Sequence, residues 1–212
     1  MNYANILFEI KGGIARLTLH RPDKLNSFTA AMHEEVRDAM TRTEAGVQAT
    51  SDDSVRVLLL TGAGANLAFA CDLVIAKQSA SFLQPFCKLG LLPDTGGTYF
   101  LPRLVGTARA MGLAMLGDKL PAQQAADWGL IWKCVDDDTF AAEIETLLQH
   151  LVHAPTLGLA RTKQAIYAGA QSTLEQQLQH EREAMSELGR SRDYREGVDA
   201  FLNKRPPVFR GR

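Results

Sequence analysis

The residues best placed to do chemistry lie in Pro93-Asp94-Thr95-Gly96-Gly97-Thr98. A carboxylate in an apolar loop, with Leu91, Leu92 and Tyr99 around it, could serve as a general acid or base. An Asp placed after proline also commonly caps the helix that follows, and residue type alone favours the cap. A second candidate is Gly62-Ala63-Gly64, a turn between an apolar run and a segment of helical composition. Backbone N–H groups at such a helix start can bind an anion or an oxyanion. A tight strand-to-helix turn is the simpler reading of an isolated glycine pair. A dinucleotide fingerprint would need Gly at position 67, where Leu67 stands, and a phosphate-cradling Gly-Lys-Ser/Thr loop is absent.

The other reactive side chains do not assemble into a motif. His20, His33, His150, His153 and His180 are scattered; His150 and His153 have helical spacing but no carboxylate motif beside them, which reads as a solvated helix face. Cys71, Cys87 and Cys134 are odd in number and far apart, with no basic partner adjacent, so packing and a reducing compartment are expected, and no metal site. No Gly-x-Ser-x-Gly elbow supports a serine hydrolase.

The elements that must position these residues follow from patterning. Residues 5–20 read as a hairpin turned at Gly12-Gly13. Ser27 or Thr29 caps a helix through Met32, Val36 and Met40, and Glu44 to Asp53 reads as a loop. Val55 to Leu60 is a continuous apolar run, as for a strand covered on both faces. Ala65 to Cys71 is helical, Leu73 to Ala76 a short strand, and Phe82 to Gly97 too rich in Gly and Pro for one element. Helices over 108–116 and 121–128 end at Gly117 and Gly129, and Ile131 to Val135 is the last strand. Asp136-Asp137-Asp138 is expected to cap the next helix. Three or four amphipathic helices follow, over 139–153, 156–169, 173–188 and 193–203. Strands and helices first, then helices only, give an α/β core with a helical appendage.

Composition narrows the function. With 212 residues, 46% of them hydrophobic, the chain can build a full core without disulfides. Twenty-three Lys plus Arg against 24 Asp plus Glu leave a formal charge of −1, which offers no footprint for nucleic acid. No apolar run reaches the ~18 residues a membrane span requires. Glu9 interrupts the first apolar stretch, so no secretory leader is expected there. The expected setting is cytoplasmic.

Several segments together resemble the crotonase (enoyl-CoA hydratase/isomerase) superfamily. They are Leu19 to Phe28, Val57 to Gly62, Ala63 to Asp72, Lys88 to Thr98, and Arg195 to Phe201 with Lys204-Arg205. The resemblance implies a spiral of ββα units with a helical C-terminal appendage. It assigns residues 1–138 to the α/β core and 139–212 to a helical region that packs on neighbouring subunits, in a homotrimer or a hexamer. Pro93 to Gly97, Arg109 to Gly117 and Trp128 to Trp132 are most similar to members that convert ring-1,2-epoxyphenylacetyl-CoA to the oxepin. A Δ3,Δ2-enoyl-CoA isomerase and a catalytically impaired acyl-CoA-binding chain are the alternatives. No cofactor is implied, because coenzyme A is part of the substrate.

Residue by residue, the resemblance places the two hydratase glutamates on Asn66 and Phe86, so neither acid is present. Asp94 falls on the single acid/base of the isomerases. Ala63 and Gly64 match an oxyanion donor, Lys24 and Leu25 the coenzyme A entry, and Phe201 and Lys204 residues that reach the coenzyme A nucleotide. One departure is large. In the superfamily pattern a loop, a helix and a strand separate a first Gly-Ala-Gly from a second. Here both fall on residues 62–64, and everything between is missing. The implied consequences are a weakened oxyanion site and an unpartnered flank of the core sheet.

Overall fold

A computed structural model describes residues 3–24, 26, 28–48, 54–62 and 65–212. Strands β1 (Ile6–Lys11) and β2 (Ile14–Leu19) form the expected hairpin. Its turn is left-handed at both Gly12 (φ 57°) and Gly13 (φ 75°), a geometry that glycine adopts without strain. Ile6, Ile14, Leu17 and Leu19 are buried. Helix α1 runs over Ala30–Gln48, and the Thr29 hydroxyl accepts from the Met32 N–H at 3.3 Å as its cap; Ser27 lies outside the described residues.

Two features of this region differ from expectation. The helix continues through 44–48 instead of giving way to a loop. Thr43 is buried, Gly46 lies tight against Val55, and the Val55 N–H bonds to the Gly46 carbonyl at 3.1 Å, so tertiary packing extends a helix that composition would have ended. Strand β3 (Val57–Thr61) is half-buried along its whole length, not covered on both faces. Among the described residues the sheet order is β1-β2-β3, with β3 at its edge.

Downstream come α2 (Ala65–Ala68), β4 (Ile75–Lys77), β5 (Ser81–Phe82), a 3₁₀ turn over Pro85–Leu89, and α3 (Gly97–Leu116), kinked at Gly106. Then follow β6 (Leu120–Pro121), α4 (Ala122–Asp127) and β7 (Lys133–Val135). Strand β4 pairs in parallel with β7, and β5 pairs antiparallel with β6. Leu101, Val105, Leu113, Leu120, Leu130 and Ile131 gather with Phe69 in a buried cluster. Four helices complete the chain: α5 (Phe140–His153), α6 (Thr156–Gly169), α7 (Leu174–Leu188) and α8 (Arg192–Leu202). Thr173 caps α7 through a reciprocal box with Gln176. Of the three aspartates before α5, Asp137 bonds away from that helix: its carboxylate accepts from the Ser79 N–H at 3.0 Å and from the Ser79 hydroxyl.

The chain forms two compact units. The first comprises Met1–Glu9, Arg16–Thr41 and Leu60–Glu145, and holds the buried cluster and Asp94. The second comprises Ile10–Ala15, Arg42–Leu59 and Thr146–Arg212. Within it, α8 is tied to the C-terminal segment. Buried Asp193 accepts the N–H groups of Arg210 and Gly211, each at 2.7 Å. The Arg205 guanidinium grips Glu196 through two bonds of 2.6 and 2.9 Å and also bonds Asp199 at 2.5 Å.

Candidate active site

Three segments of the first unit converge on Asp94. Helix α2 supplies Asn66, the chain entering the 3₁₀ turn supplies Gln84, and the turn before α3 supplies Asp94. Both amides lie among apolar neighbours and are buried, Asn66 at 7% exposure and Gln84 at 2%. Buried polar groups must find partners within the protein. The Gln84 Nε2 amide donates to Asn66 Oδ1 at 2.8 Å, which turns the Asn66 amino group the other way. That group donates to the Asp94 carbonyl at 3.0 Å and reaches Asp94 Oδ1 at 3.4 Å. Gln84 Oε1 is buried with no hydrogen-bond partner among the described residues, an arrangement that costs roughly 1–3 kcal/mol.

The turn itself is wound tightly. The Gly97 N–H donates to the Asp94 carbonyl at 2.7 Å, and the Thr95 hydroxyl donates to Asp94 Oδ1 at 3.1 Å. Thr95 (φ 49°) adopts the left-handed region, which for a β-branched residue stores about 1–3 kcal/mol of strain. A side chain on Gly97 would place its Cβ 2.9 Å from both terminal atoms of Asn66 and from Pro93 Cβ. Gly97 thus lets the helix start press directly on the Asn66 amide.

Asp94 is not a helix cap: the cap position of α3 is Gly96, and no side chain bonds there. Nor do Leu91, Leu92 and Tyr99 enclose the carboxylate. They are 62%, 70% and 46% exposed, and Asp94 is itself exposed. The Tyr99 ring instead packs under the Arg103 guanidinium, 3.6 Å from the ring centre. The apolar wall of this loop faces outward, leaving a carboxylate open on one side and held from behind by an amide. One such group can take a proton from one carbon and return it to another.

The remaining expected residues are placed as follows. Phe86, at the second hydratase position, lies half-buried in the 3₁₀ turn. Lys24 is exposed in a short 3₁₀ turn of the first unit. Phe201 is 84% exposed near the end of α8, and Lys204, with φ 51°, is exposed just beyond it; both belong to the second unit. Ala63, Gly64 and Leu25 lie outside the described residues. Sequence reasoning missed Gln84. Its signal was a lone amide within Phe82-Leu83-Gln84-Pro85-Phe86, where a polar side chain has reason to be buried only if it bonds something.

Other chemistries find less support. Burial and then Asp136, Asp137 and Asp127 push the Cys134 thiol above its usual range, which suppresses a nucleophilic thiolate. Among the described residues no group of three His, Cys, Asp or Glu side chains could hold a metal ion, and no helix there is long and apolar enough to cross a membrane.

Known proteins share this architecture. The enoyl-CoA hydratase/isomerase family pattern matches residues 59–212. The 1,2-epoxyphenylacetyl-CoA isomerase of Escherichia coli is 40% identical over 264 residues, covering 98% of each chain. A probable enoyl-CoA hydratase of Rhodobacter capsulatus is 39% identical over 257 residues, covering all of both. Both alignments are longer than the 212 residues of this chain, so each relative carries internal residues with no counterpart here. Among solved structures, a putative enoyl-CoA hydratase from Streptomyces coelicolor superposes with a TM-score of 0.88 at 28% identity, covering 100% of this chain and 96% of its own. An enoyl-CoA hydratase subunit from Geobacillus kaustophilus gives 0.87 at 26% identity, covering 99% of each. The chain has the crotonase-like α/β fold and belongs to the enoyl-CoA hydratase/isomerase family.

Proposed function

We propose that the chain isomerises a coenzyme A thioester with Asp94 as its single acid/base, acting on ring-1,2-epoxyphenylacetyl-CoA to give the oxepin. The observation that carries this reading is the pairing of Asp94 with Asn66. An amide occupies the place of one hydratase acid and Phe86 the place of the other, which leaves one carboxylate at the site. Adding water across a double bond calls for a second acid to activate that water. Isomerisation does not, since the proton removed from the substrate is the proton returned. The chemistry asks for no metal or separate cofactor, because the thioester carbonyl of the substrate accepts the developing charge. Ala63 and Gly64 would supply the backbone donor to that oxygen, Lys24 and Leu25 would line the coenzyme A entry, and Phe201 and Lys204 would reach the coenzyme A nucleotide of a neighbouring subunit.

The same site suits a Δ3,Δ2-enoyl-CoA isomerase. One observation favours a different reading, an acyl-CoA-binding chain of reduced activity: among the described residues β3 is a half-buried edge strand where the superfamily pattern continues into a further loop, helix and strand. Exposed apolar side chains on α7 and α8, including Leu174, Leu178, Met185, Phe201 and Leu202, support assembly into a homotrimer or hexamer through residues 139–212. The reading includes a cytoplasmic location and neither a nucleic-acid nor a membrane partner.

The test offers the purified chain three substrates: ring-1,2-epoxyphenylacetyl-CoA, a Δ3-enoyl-CoA and crotonyl-CoA. Isomerisation of the first with negligible hydration of crotonyl-CoA is expected. Turnover of the second alone moves the assignment to the allylic isomerase. Acyl-CoA binding without turnover selects the impaired reading, and efficient crotonyl-CoA hydration overturns the one-carboxylate account.

A further inference from the structure

From the two buried amides behind Asp94 we infer that Gln84 is a positioning residue for the acid/base: acting through Asn66, it fixes where the Asp94 turn and carboxylate stand. This rests on the reading of Asp94 given above. A neutral amide has a donor end and an acceptor end. Asn66 alone could present either end to Asp94. Gln84 removes that choice, because its Nε2 donates to Asn66 Oδ1 at 2.8 Å and only the Asn66 amino group is left for Asp94. The amino group then holds the turn at the Asp94 carbonyl and faces Oδ1. Reversing Asn66 would set its oxygen against two oxygens of Asp94.

Three further observations support a role beyond packing. Gln84 is 2% exposed and leaves Oε1 without a partner, so as a core filler it is a poor choice. Asn66 is wedged between Gln84 and the Gly97 backbone, so its amide has a defined place and cannot withdraw. The turn it holds contains left-handed Thr95, a conformation that persists only where neighbouring contacts impose it.

Gln84→Met keeps the length and approximate volume of the side chain, removes the donor, and also removes the orphaned oxygen. The expected result is a kcat at least tenfold lower with KM unchanged and a melting temperature close to that of the parent, because the orphaned Gln84 oxygen is exchanged for an unpartnered Asn66 Oδ1. A filler role predicts the reverse, namely a changed melting temperature with kcat intact. Asn66→Asp is the second variant. It still accepts from Gln84 but has no N–H to give to Asp94, so its kcat should fall at least as far with KM unchanged. Parental kcat in either folded variant overturns the inference. Asp94→Asn is assayed alongside. If it retains turnover, the acid/base assignment itself fails, an outcome that Gln84 and Asn66 variants alone do not produce.

Discussion

Placing a methyl group on Gly97 tests the geometry behind Asp94 with a single carbon. The added Cβ would lie 2.9 Å from Asn66 Nδ2, from Asn66 Oδ1 and from Pro93 Cβ, against about 3.5–4.0 Å for comfortable carbon contact. Alanine also favours a helix over glycine by up to about 1 kcal/mol. Overpacking a tight site costs about 1–3 kcal/mol. Asn66 cannot yield without weakening its bonds to Gln84 and to the Asp94 carbonyl, each worth about 1 kcal/mol. The clash therefore outweighs the helical gain, for a net loss of about 1–3 kcal/mol. In a chain of this size that lowers the melting temperature by about 3–10 °C. Moving Asn66 also shifts Asp94, and displacements near 1 Å cost about a hundredfold in rate. Gly112→Ala is the control. It lies in the same helix with nothing within 4 Å of its added Cβ, so it should gain up to about 1 kcal/mol and leave turnover alone. Thermal denaturation and steady-state kinetics on both variants decide the matter. If Gly97→Ala stabilises as Gly112→Ala does and keeps full kcat, Asn66 is not pinned and the description of the site is wrong.

Two further predictions concern the frame. The Arg205 guanidinium and the Val208 N–H hold the Glu196 carboxyl at about 2, well below its ordinary 4.5. A depressed carboxyl stabilises the fold fully above the unfolded value and loses that contribution as pH falls through the folded one. Glu196→Gln should therefore melt below the parent at neutral pH, and the gap should close as pH falls from 4.5 towards 2; a gap that persists at pH 2 contradicts the ion-pair origin. Inserting after Gly62 the loop, helix and strand that the superfamily pattern implies should raise both turnover and melting temperature, because a strand so restored would give β3 a second neighbour. Equal values in the two chains would show that the shortening is without consequence.

Much of the architecture was legible because local rules dominate it. Gly12-Gly13 announces the hairpin, and the periodicity after residue 139 announces the bounds of the C-terminal helices to within two residues. What was not legible depends on contacts distant in sequence. The parallel pairing of β4 with β7 brings Ile75 to Lys133, and no local signal encodes such a crossover. Helix α1 outlasts its composition because Val55 packs on Gly46. At the site, Asp94 stood out by type, but its role was ambiguous between cap and acid. Only the left-handed Thr95 and Gly96, which move the cap position past it, separate the two. Gln84 acts two hydrogen bonds away from Asp94, a relation that spacing alone does not reveal.

The central claim is that one carboxylate does the proton transfer, and Asp94→Asn tests it most directly. The substitution keeps the shape of the side chain and its place in the turn while removing the proton acceptor. Turnover of ring-1,2-epoxyphenylacetyl-CoA and the affinity for a non-reactive acyl-CoA are measured on the same preparations. The account predicts a kcat reduced by about a hundredfold or more, the range that general acid–base catalysis supplies, with acyl-CoA affinity unchanged. Turnover equal to that of the parent chain would contradict it.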